Sequence, residues 1–428
     1  MRLLPCLLAA LAAATSAPLA AQIWTAEPAR DPQLQELVAE AVRNSPEIRA
    51  AGNERLAAQH RVSPAGALDD PMLEAGVLNV PLKTSDTFRR EDMTMKMLGL
   101  SQKFPFPGKR DLRQDVAAKD AESVAFAYQE TVNRVIRDVK TSYFELGFVA
   151  ESARLVAKNR LALEQFLKIS ESRYSVGQGN QSDVFKAQTQ LSKMADELIK
   201  LTRERRTIEA ELVRALGRES AASAPAPAAL RLQEAPLELE SLLQSARRER
   251  PQLLGLRSLV DRGSKALDLA RQDNYPDFDV KFSYGQRDKA LDGMPRDDLV
   301  SVTVAINLPV WRESKRDPRI AEAMAMRNQA TDLYQAQLNE LSSKLRQQVA
   351  NAEQSLKSAR LYESGILPQA RLAVESSLAA YRVNRVDFLT LLDSQMTVLN
   401  YEVGYASALS NYNKALAEID LLTGKTAF

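Results

Sequence analysis

The chain has 428 residues, and its 57 lysines and arginines nearly balance its 55 aspartates and glutamates. The basic residues are interspersed with acidic ones, which argues against a nucleic-acid partner, because nucleic-acid binding needs a basic stripe. A single cysteine, Cys6, and a single histidine, His60, exclude disulfides, thiolate metal sites, histidine-based triads and His-rich metal sites. We therefore expect no enzyme activity, no cofactor and no bound metal.

Residues 1–21 have the composition of a secretory signal peptide. Arg2 precedes an apolar run from Leu3 to Ala14, and small residues end near Ala21. An N-terminal membrane anchor is the alternative, but the run is too short to span a bilayer. Cleavage would remove Cys6 and lower the formal net charge from +2 to +1.

The rest of the sequence is an internal tandem duplication. Three residues of the first half recur 207 positions later, in the pairs Tyr174 and Tyr381, Gln188 and Gln395, and Gly217 and Gly424. Upstream, Pro46 and Pro71 recur 205 positions later. The sequence therefore predicts a first repeat, a linker rich in Ala, Pro and Ser, and a second repeat, at 22–218, 219–236 and 237–428.

Each repeat contains two predicted strands. FDVKFSYGQ (278–286) and LVSVTVAINLPV (299–310) alternate between apolar and polar residues, as expected of strands with one apolar face. The corresponding segments, 72–80 and 93–104, alternate less cleanly. We predict one hairpin per repeat, at about 71–104 and at about 276–310.

Strands of about 9 to 11 residues can cross a bilayer when they are tilted, and spanning strands must close into a barrel. Four strands per chain are too few, because bacterial barrels start at about eight. Two copies of the chain would give eight strands and three copies would give twelve. The alternative is a soluble sheet that caps the helices.

A long helix follows each hairpin. The segment from Lys109 to Ser175 has 67 residues and no proline, and one helix of this length extends roughly 100 Å. The second long helix is expected from Asp317 to about Tyr381, with a kink near Pro368. Weaker helical segments at about 32–59 and about 237–271 begin the two repeats.

Heptads of apolar residues continue after each long helix and predict coiled-coil packing. In the first repeat one position of the heptad is occupied by Ala187, Met194, Leu201, Ile208 and Ala215. Two similar segments, YSVGQGNQSDV and YRVNRVDFLTL, separate the long helices from these heptads. They predict the turns of two equivalent helical hairpins.

The whole chain after residue 21 resembles the TolC-type outer-membrane efflux family. The resemblance rests on the early A-x-x-x-x-P motif (41–46), DDPMLEAGVLNVPL, SQKFPFPGKRDLR, the two turn segments and the glycine endings ALG (215–217) and LTG (422–424). It implies a mainly α fold with a small β part: a homotrimer whose long coiled-coil helices form an α-barrel that continues into a 12-stranded transmembrane β-barrel, four strands from each chain. The location would be the outer membrane of a Gram-negative bacterium, with most of the chain in the periplasm.

The resemblance also implies partners and site residues. The family serves as the passive exit duct of tripartite efflux systems, together with a periplasmic adaptor protein and an inner-membrane pump. Its periplasmic end is closed near the hairpin turns by carboxylates, a tyrosine and an arginine. The matching gate and selectivity residues of this chain are Asp183, Tyr381, Arg385 and Asp393. The matching adaptor-docking tips are Val176, Gly177, Val383 and Asn384.

Structural roles compete with these functional ones. Asp183 could be a helix N-cap, Asp393 a solvated helix residue, and the tip residues pure turn geometry. Among whole-protein functions, the same duct could be specialised for heavy-metal cations, or the chain could be a structural coiled-coil envelope protein with no pore. Met93, Met95 and Met97 could be Cu(I) ligands, but lipid-facing or packing roles are the simpler interpretation.

Overall fold

The computed structural model describes residues 31–81, 87–219, 230–232 and 234–425. The predicted signal peptide and most of the predicted linker lie outside these residues. The described part is mainly helical with one small antiparallel sheet, which confirms the predicted mainly α fold with a small β part.

The order of the elements repeats along the chain. The first half contains α1 (Pro32–Asn44), α2 (Pro46–Gly66), β1 (Met72–Leu78), α3 (Thr87–Arg90), β2 (Met95–Phe104), α4 (Lys109–Ser175) and α5 (Gln181–Ala215). The second half contains α6 (Leu239–Glu249), α7 (Pro251–Gln272), β3 (Phe278–Gln286), β4 (Leu299–Ile306), α8 (Asp317–Leu361), α9 (Leu367–Arg382) and α10 (Phe388–Thr423). Together α8 and α9 correspond to α4, and the interruption expected near Pro368 is a π-helical turn at Tyr362–Ile366.

The prediction of one continuous helix at the start of each repeat was wrong. Pro46 begins α2 and Pro251 begins α7, and each preceding residue has an extended backbone, with ψ of 121° at Ser45 and 118° at Arg250. A proline disfavours helical geometry in the residue before it, and its own fixed φ suits the first helical position. Each repeat therefore starts with two helices instead of one.

The glycines of the two repeat endings, Gly217 and Gly424, make the same contact. Gly217 and Gly424 have φ of 68° and 73°, a conformation that costs other residues more than glycine. A Cβ on Gly217 would lie 2.6 Å from the carbonyl oxygen of Asn44, and one on Gly424 would lie 2.7 Å from that of Glu249. The glycines are needed because the end of each repeat packs against the break between its first two helices.

The heptad residues of α5 face the interior. Ala187, Met194, Leu201, Ile208 and Ala215 are all buried. They pack in one core with α4 side chains such as Leu146 and Leu163, while Tyr412 and Leu422 of α10 belong to a second core with α6 and α8. None of the described helices combines the length and the apolar character needed to cross a membrane.

The four strands form one antiparallel sheet in the order β1-β2-β3-β4. The central pair, β2 and β3, joins the two halves, with Leu100 opposite Phe282, which in turn lies opposite Val302. In the described residues β1 and β4 each have a strand neighbour on one side only. The sheet therefore has two open edges.

One face of this sheet is apolar and exposed. Its side chains are 40% to 69% exposed: Leu98, Leu100, Phe104, Phe282, Tyr284, Val300, Val302, Val304 and Ile306. The opposite face carries serines, threonine and the ion pair between Lys281 and Glu74. The predicted alternation is confirmed, and an apolar surface of this extent is typical of an interaction site.

Three strands are shorter than predicted: β2 begins at Met95 instead of Met93, and β1 and β4 end early for local reasons. β1 ends at Leu78 because Asn79 has φ of 55° and accepts a hydrogen bond at its carbonyl from the Thr94 hydroxyl, at 2.7 Å. β4 ends at Ile306 because the Asn307 side chain turns back to accept from the Asp277 N–H at 2.6 Å. Pro309, which lacks an N–H, follows.

The FPFPGKR stretch builds a junction between the sheet and the long helix. Lys109, only 2% exposed, donates from Nζ to the Asp277 carboxylate at 2.8 Å and to the Tyr275 carbonyl at 2.9 Å. The same carboxylate accepts from the Phe106 N–H at 2.8 Å, and the Phe106 and Tyr275 rings stack with centroids 4.6 Å apart. These contacts fix the angle between β3 and the start of α4.

The Asp277 carboxylate should make this junction pH-sensitive only in strong acid. Burial alone would raise its pKa, but the hydrogen bonds from Lys109 and from the Phe106 N–H outweigh burial, and the pKa of Asp277 is lowered. Because the pKa of Asp277 is lower in the folded than in the unfolded state, its ionised carboxylate stabilises the fold at pH values above the ordinary aspartate pKa of about 3.9. This stabilisation is lost as the pH falls below that pKa. We expect the free energy of unfolding, measured by denaturation, to be lower for Asp277→Asn than for wild type at pH 7, and the two values to converge below about pH 3. A constant difference between the two over that range would contradict this assignment.

Candidate functional site

The turns of the two helical hairpins have the same backbone geometry. After α4, the Gly177 N–H bonds to the Tyr174 carbonyl at 3.0 Å and the Gln178 N–H to the Arg173 carbonyl at 2.8 Å. After α9, Asn384 and Arg385 repeat these bonds at 3.2 and 2.9 Å. This pair of bonds is the Schellman motif that ends many helices. The duplicated turn segments thus fold into duplicated turns.

A positive φ is required at one position of each turn. It is 74° at Gly177 and 64° at Asn384, and glycine and asparagine are the residues that tolerate it best. The preceding residues, Val176 and Val383, are the C-caps of α4 and α9 and are 65% and 64% exposed. All four predicted tip residues therefore lie at the turns, with two apolar side chains presented to solvent.

Further apolar side chains extend this exposed surface on the helices next to the turns. Phe185, the fifth residue of α5, is 56% exposed, and Leu389, the second residue of α10, is 52% exposed. Tyr174, at the end of α4, is 47% exposed. Each turn therefore presents an exposed apolar patch that is larger than its single valine.

The carboxylates near the turns have different roles. The structural alternative for Asp183, a helix N-cap, was wrong. Asn180 is the N-cap of α5, and Asp183 follows in the first turn. A carboxylate in the first turn is favoured by the helix dipole. In the second hairpin the N-cap is Asp387, which accepts from the Thr390 N–H at 3.0 Å and from the Thr390 hydroxyl. These bonds lower the pKa of Asp387.

Tyr381 is the most buried of the predicted gate residues, at 4% exposure. Its hydroxyl lies 3.4 Å from that of Ser170 on α4, and its ring meets the Phe388 ring edge-on at 5.8 Å. Tyr174, its counterpart in the first repeat, is half exposed. The two turns therefore differ in their side chains although their backbones agree.

Arg173 is a residue of this site that the sequence analysis missed. Its guanidinium lies 4.6 Å from the centre of the Tyr381 ring and donates to the Tyr381 carbonyl and to the Asn384 side-chain oxygen. It also donates to the Gln178 carbonyl of its own turn, at 3.2 Å. Its position beside Tyr174 in the RYSVG segment was the available signal, but nothing in the sequence showed that it reaches the other hairpin.

The structure does not bring Arg385 or Asp393 to Tyr381 within one chain. Both side chains are exposed, and neither has a hydrogen bond or ion pair to the described residues. The arginine that contacts Tyr381 is Arg173 instead. The grouping of Asp183, Tyr381, Arg385 and Asp393 into a gate depends on neighbouring copies of the chain, and it stays a prediction.

The methionines of β2 do not form a soft-metal site on the apolar face. Met95 is 9% exposed and packs against Gly285, on the polar side of the sheet, whereas Leu98 lies on the apolar side. Met97 has the same parity as Met95, and Met93 precedes the strand. Met95 therefore has the packing role that the simpler interpretation included. Among the described residues no group of three or more His, Cys, Asp or Glu side chains could hold a metal ion.

Comparison with known proteins agrees with this architecture. A model of the family described as outer membrane efflux protein matches residues 37–218 and again residues 242–425. The cobalt-zinc-cadmium resistance protein CzcC of Cupriavidus metallidurans is 22% identical over 358 residues, which are 83% of this chain and 83% of CzcC.

Two solved structures share the fold. The outer membrane protein VceC of Vibrio cholerae superposes with a TM-score of 0.77 at 17% identity, covering 92% of this chain and 96% of VceC. The CmeC outer membrane channel of Campylobacter jejuni superposes with a TM-score of 0.79 at 14% identity, covering 92% of this chain and 86% of CmeC.

Proposed function

Because the chain belongs to the outer membrane efflux protein family, we propose that it is the passive exit duct of a tripartite efflux system. As a member of that family it resides in the outer membrane of a Gram-negative cell. In the proposed assembly three copies enclose one pore, most of each chain lies in the periplasm, and a periplasmic adaptor joins the duct to an inner-membrane pump. The protein itself carries out transport and no chemical reaction.

One observation carries this proposal. The sheet has an exposed apolar face and two open edges, and it is fixed through the Lys109 junction to a helix of 67 residues. In lipid, unpaired backbone groups at sheet edges are too costly to persist, so the edges must pair with other copies. Three copies of a four-stranded sheet supply twelve strands, and their helices then continue as one wall below the membrane.

The oligomeric state tests the proposal. We expect the mature protein to fractionate with the outer membrane and, after detergent extraction, to have the protein mass of three chains. A water-soluble monomeric rod would instead support the other hypothesis, a structural coiled-coil protein of the envelope without a pore.

The gate proposal concerns the turns. Around a three-fold axis Asp183 and Asp393 would each contribute three converging carboxylates. Such a ring favours cations, and its carboxylates are able to accept hydrogen bonds from neighbouring protomers. Exposed Arg385 is free to reach a neighbouring copy, and Tyr381 holds the second hairpin against α4. Val176, Gly177, Val383 and Asn384 would form the surface on which the adaptor docks.

Removal of the two carboxylates should open and neutralise the periplasmic end. For the double variant Asp183→Ala, Asp393→Ala we expect a higher resting conductance and weaker cation selectivity in planar bilayers. The control is Asp196→Ala, whose carboxylate is exposed on α5 and pairs with Lys200 of the same helix at 2.7 Å. Single-channel currents equal to wild type in the double variant would contradict the gate role of these aspartates.

Heavy-metal cations are the alternative cargo, supported by the similarity to CzcC over 83% of both chains. A duct need not bind its cargo, so the cargo class is best tested in cells. Deletion of the gene should sensitise the strain to cobalt, zinc and cadmium if the duct serves metal efflux. Sensitisation to lipophilic drugs with unchanged metal tolerance would contradict the metal specialisation.

A further inference from the structure

The apolar face of the sheet ends in polar and cationic side chains on the side of its turns. Lys96 lies on the same face of β2 as Leu98, and it is directly opposite Gln286 of β3. Tyr284, opposite Leu98, donates its hydroxyl to the Asp298 carboxylate. Lysine and tyrosine side chains with polar tips are typical of the level at which lipid hydrocarbon meets the headgroups. In the proposed duct, this edge of the apolar face is therefore the boundary with lipid headgroups.

The long helices determine which leaflet this boundary faces. β2 ends at Phe104, beside the start of α4, so the turns at 79–94 and 287–298 lie at the end of the sheet that is remote from the helices. With the helices in the periplasm, the turns lie at the outer leaflet. The lipid of that leaflet is a glycolipid, lipid A, whose glucosamine headgroup carries phosphate groups. Lysine and arginine are the side chains that bind such anionic headgroups.

Three cations and an aromatic ring lie together at this edge. The Phe88 ring of α3 is 5.4 Å from Nζ of Lys96, so α3 lies on the side of the apolar face. Arg89 and Arg90 follow Phe88 and are exposed, and no carboxylate among the described residues forms an ion pair with either. Lys96 pairs with Asp288 at 3.3 Å, but the two side chains are 51% and 33% exposed, so water competes with this pair. We call Phe88, Arg89, Arg90 and Lys96 the rim patch.

A buried arginine of the other turn holds α3 in this position. The side chain of Arg296 is only 10% exposed and donates to the Arg89 carbonyl at 3.2 Å. It also donates to the Glu91 carbonyl at 3.1 Å and to the Asp92 carboxylate. Arg287 adds a hydrogen bond to the Asp92 carbonyl at 3.3 Å. Because the ordering of a loop is a cost of binding that a preformed surface avoids, the rim patch is prepared for a ligand.

We propose that the rim patch binds the phosphate groups of lipid A in the outer leaflet. This inference rests on the proposed function, because it requires the sheet to span the outer membrane with its turns outward. The guanidinium forks of Arg89 and Arg90 match pairs of phosphate oxygens. Lys96 adds a point charge at the level where the acyl chains begin. The contact would anchor each protomer to the lipid around it.

Carboxylates at the same turns offer a different route to phosphate. Glu91, Asp292 and Asp297 are exposed, and a magnesium ion could join such carboxylates to a phosphate group. That route needs the ion, whereas direct binding by arginine and lysine does not. Measurement in the presence of EDTA therefore separates the two routes.

Binding of lipid A to the detergent-solubilised protein in EDTA tests the proposal. Native mass spectrometry gives the lipid-bound fraction, and the probes are lipid A with its phosphate groups and the same lipid after their removal. The rim variant is Arg89→Gln, Arg90→Gln. Its control is Arg312→Gln, Lys315→Gln, which removes two exposed cations at the helix end of the sheet and changes the net charge equally.

We expect wild type and the control to bind phosphorylated lipid A equally well and the dephosphorylated lipid far more weakly. Each cation near an anionic lipid contributes about fivefold in affinity, so the rim variant should bind about 25-fold more weakly and Lys96→Gln about fivefold more weakly. Equal affinities of the rim variant and wild type would overturn the proposal. An equal loss in the control would also overturn it, because it would show attraction by net charge alone.

Three further outcomes decide the matter. Equal binding of the two lipids, or binding by wild type that requires magnesium, would overturn direct recognition of phosphate by the rim patch. If the double variant does not assemble, Lys96→Gln decides, and an unchanged affinity in it would overturn the proposal. The measurement does not need a conducting protein: a conducting wild type that does not bind lipid A would overturn this inference alone, and one that binds lipid A without conducting would overturn only the duct.

Discussion

Val302→Arg should abolish assembly into the outer membrane. Val302 is in the middle of β4, is 69% exposed and belongs to the row in which Leu100, Phe282 and Val302 lie opposite one another on the apolar face. An arginine on the lipid face of a spanning strand costs about 2–4 kcal/mol at the bilayer midplane. Because about 1.4 kcal/mol is a tenfold change in an equilibrium, each chain would lose about 30-fold to 1,000-fold in insertion.

The neighbouring residue provides the control. Ser301 precedes Val302 on the same strand and points to the polar face, opposite Ser283. We expect Ser301→Arg to assemble nearly normally, as measured by the amount of detergent-resistant oligomer in the outer-membrane fraction. Equal losses in both variants would show that the apolar face does not contact lipid, and they would favour the soluble sheet that caps the helices.

The second large effect is expected at the junction between sheet and helix. Lys109→Met would leave the Asp277 carboxylate without its cation while keeping a side chain of similar length. Loss of one partner of a buried ion pair typically costs about 3–5 kcal/mol. The side chain of Asp277 is 36% exposed, so solvent compensates part of the loss and we expect about 2–3 kcal/mol.

Chemical denaturation of the detergent-solubilised protein measures this effect. Lys200→Met is the matched control, because Lys200 is 60% exposed and, among the residues that the structure describes, pairs only with Asp196 and Glu197 of its own helix. We expect less than about 0.5 kcal/mol from that change. A Lys109→Met protein as stable as Lys200→Met would contradict the view that this buried lysine fixes the sheet to α4.

Long-range organisation was predictable because the signals were long or repeated. The 67 residues of α4 and the alternation of β3 were predicted with their correct bounds, since neither segment contains a competing turn signal. The bounds of the early helices were not, because Ser45 and Arg250, each followed by a proline, are extended and interrupt an otherwise continuous helical pattern. There the conformational restriction that proline imposes on the preceding residue outweighed helix propensity.

The site was predictable at the level of the backbone only. The shared offset of 207 residues located both turns, and the structure gives them the same hydrogen bonds. The side-chain contacts were beyond the sequence, because Arg173 and Tyr381 are 208 residues apart and meet only when two hairpins pack together. The N-cap of α10, by contrast, was within reach of the sequence, because Asp387 directly precedes the helix and an aspartate there is a common cap.

Conductance across a planar lipid bilayer tests the central claim most directly, namely that copies of this chain enclose a water-filled pore. Addition of the purified, detergent-extracted protein should produce discrete current steps of uniform size that favour cations over anions. Protein that binds or inserts into the bilayer without ever producing such steps would contradict the account.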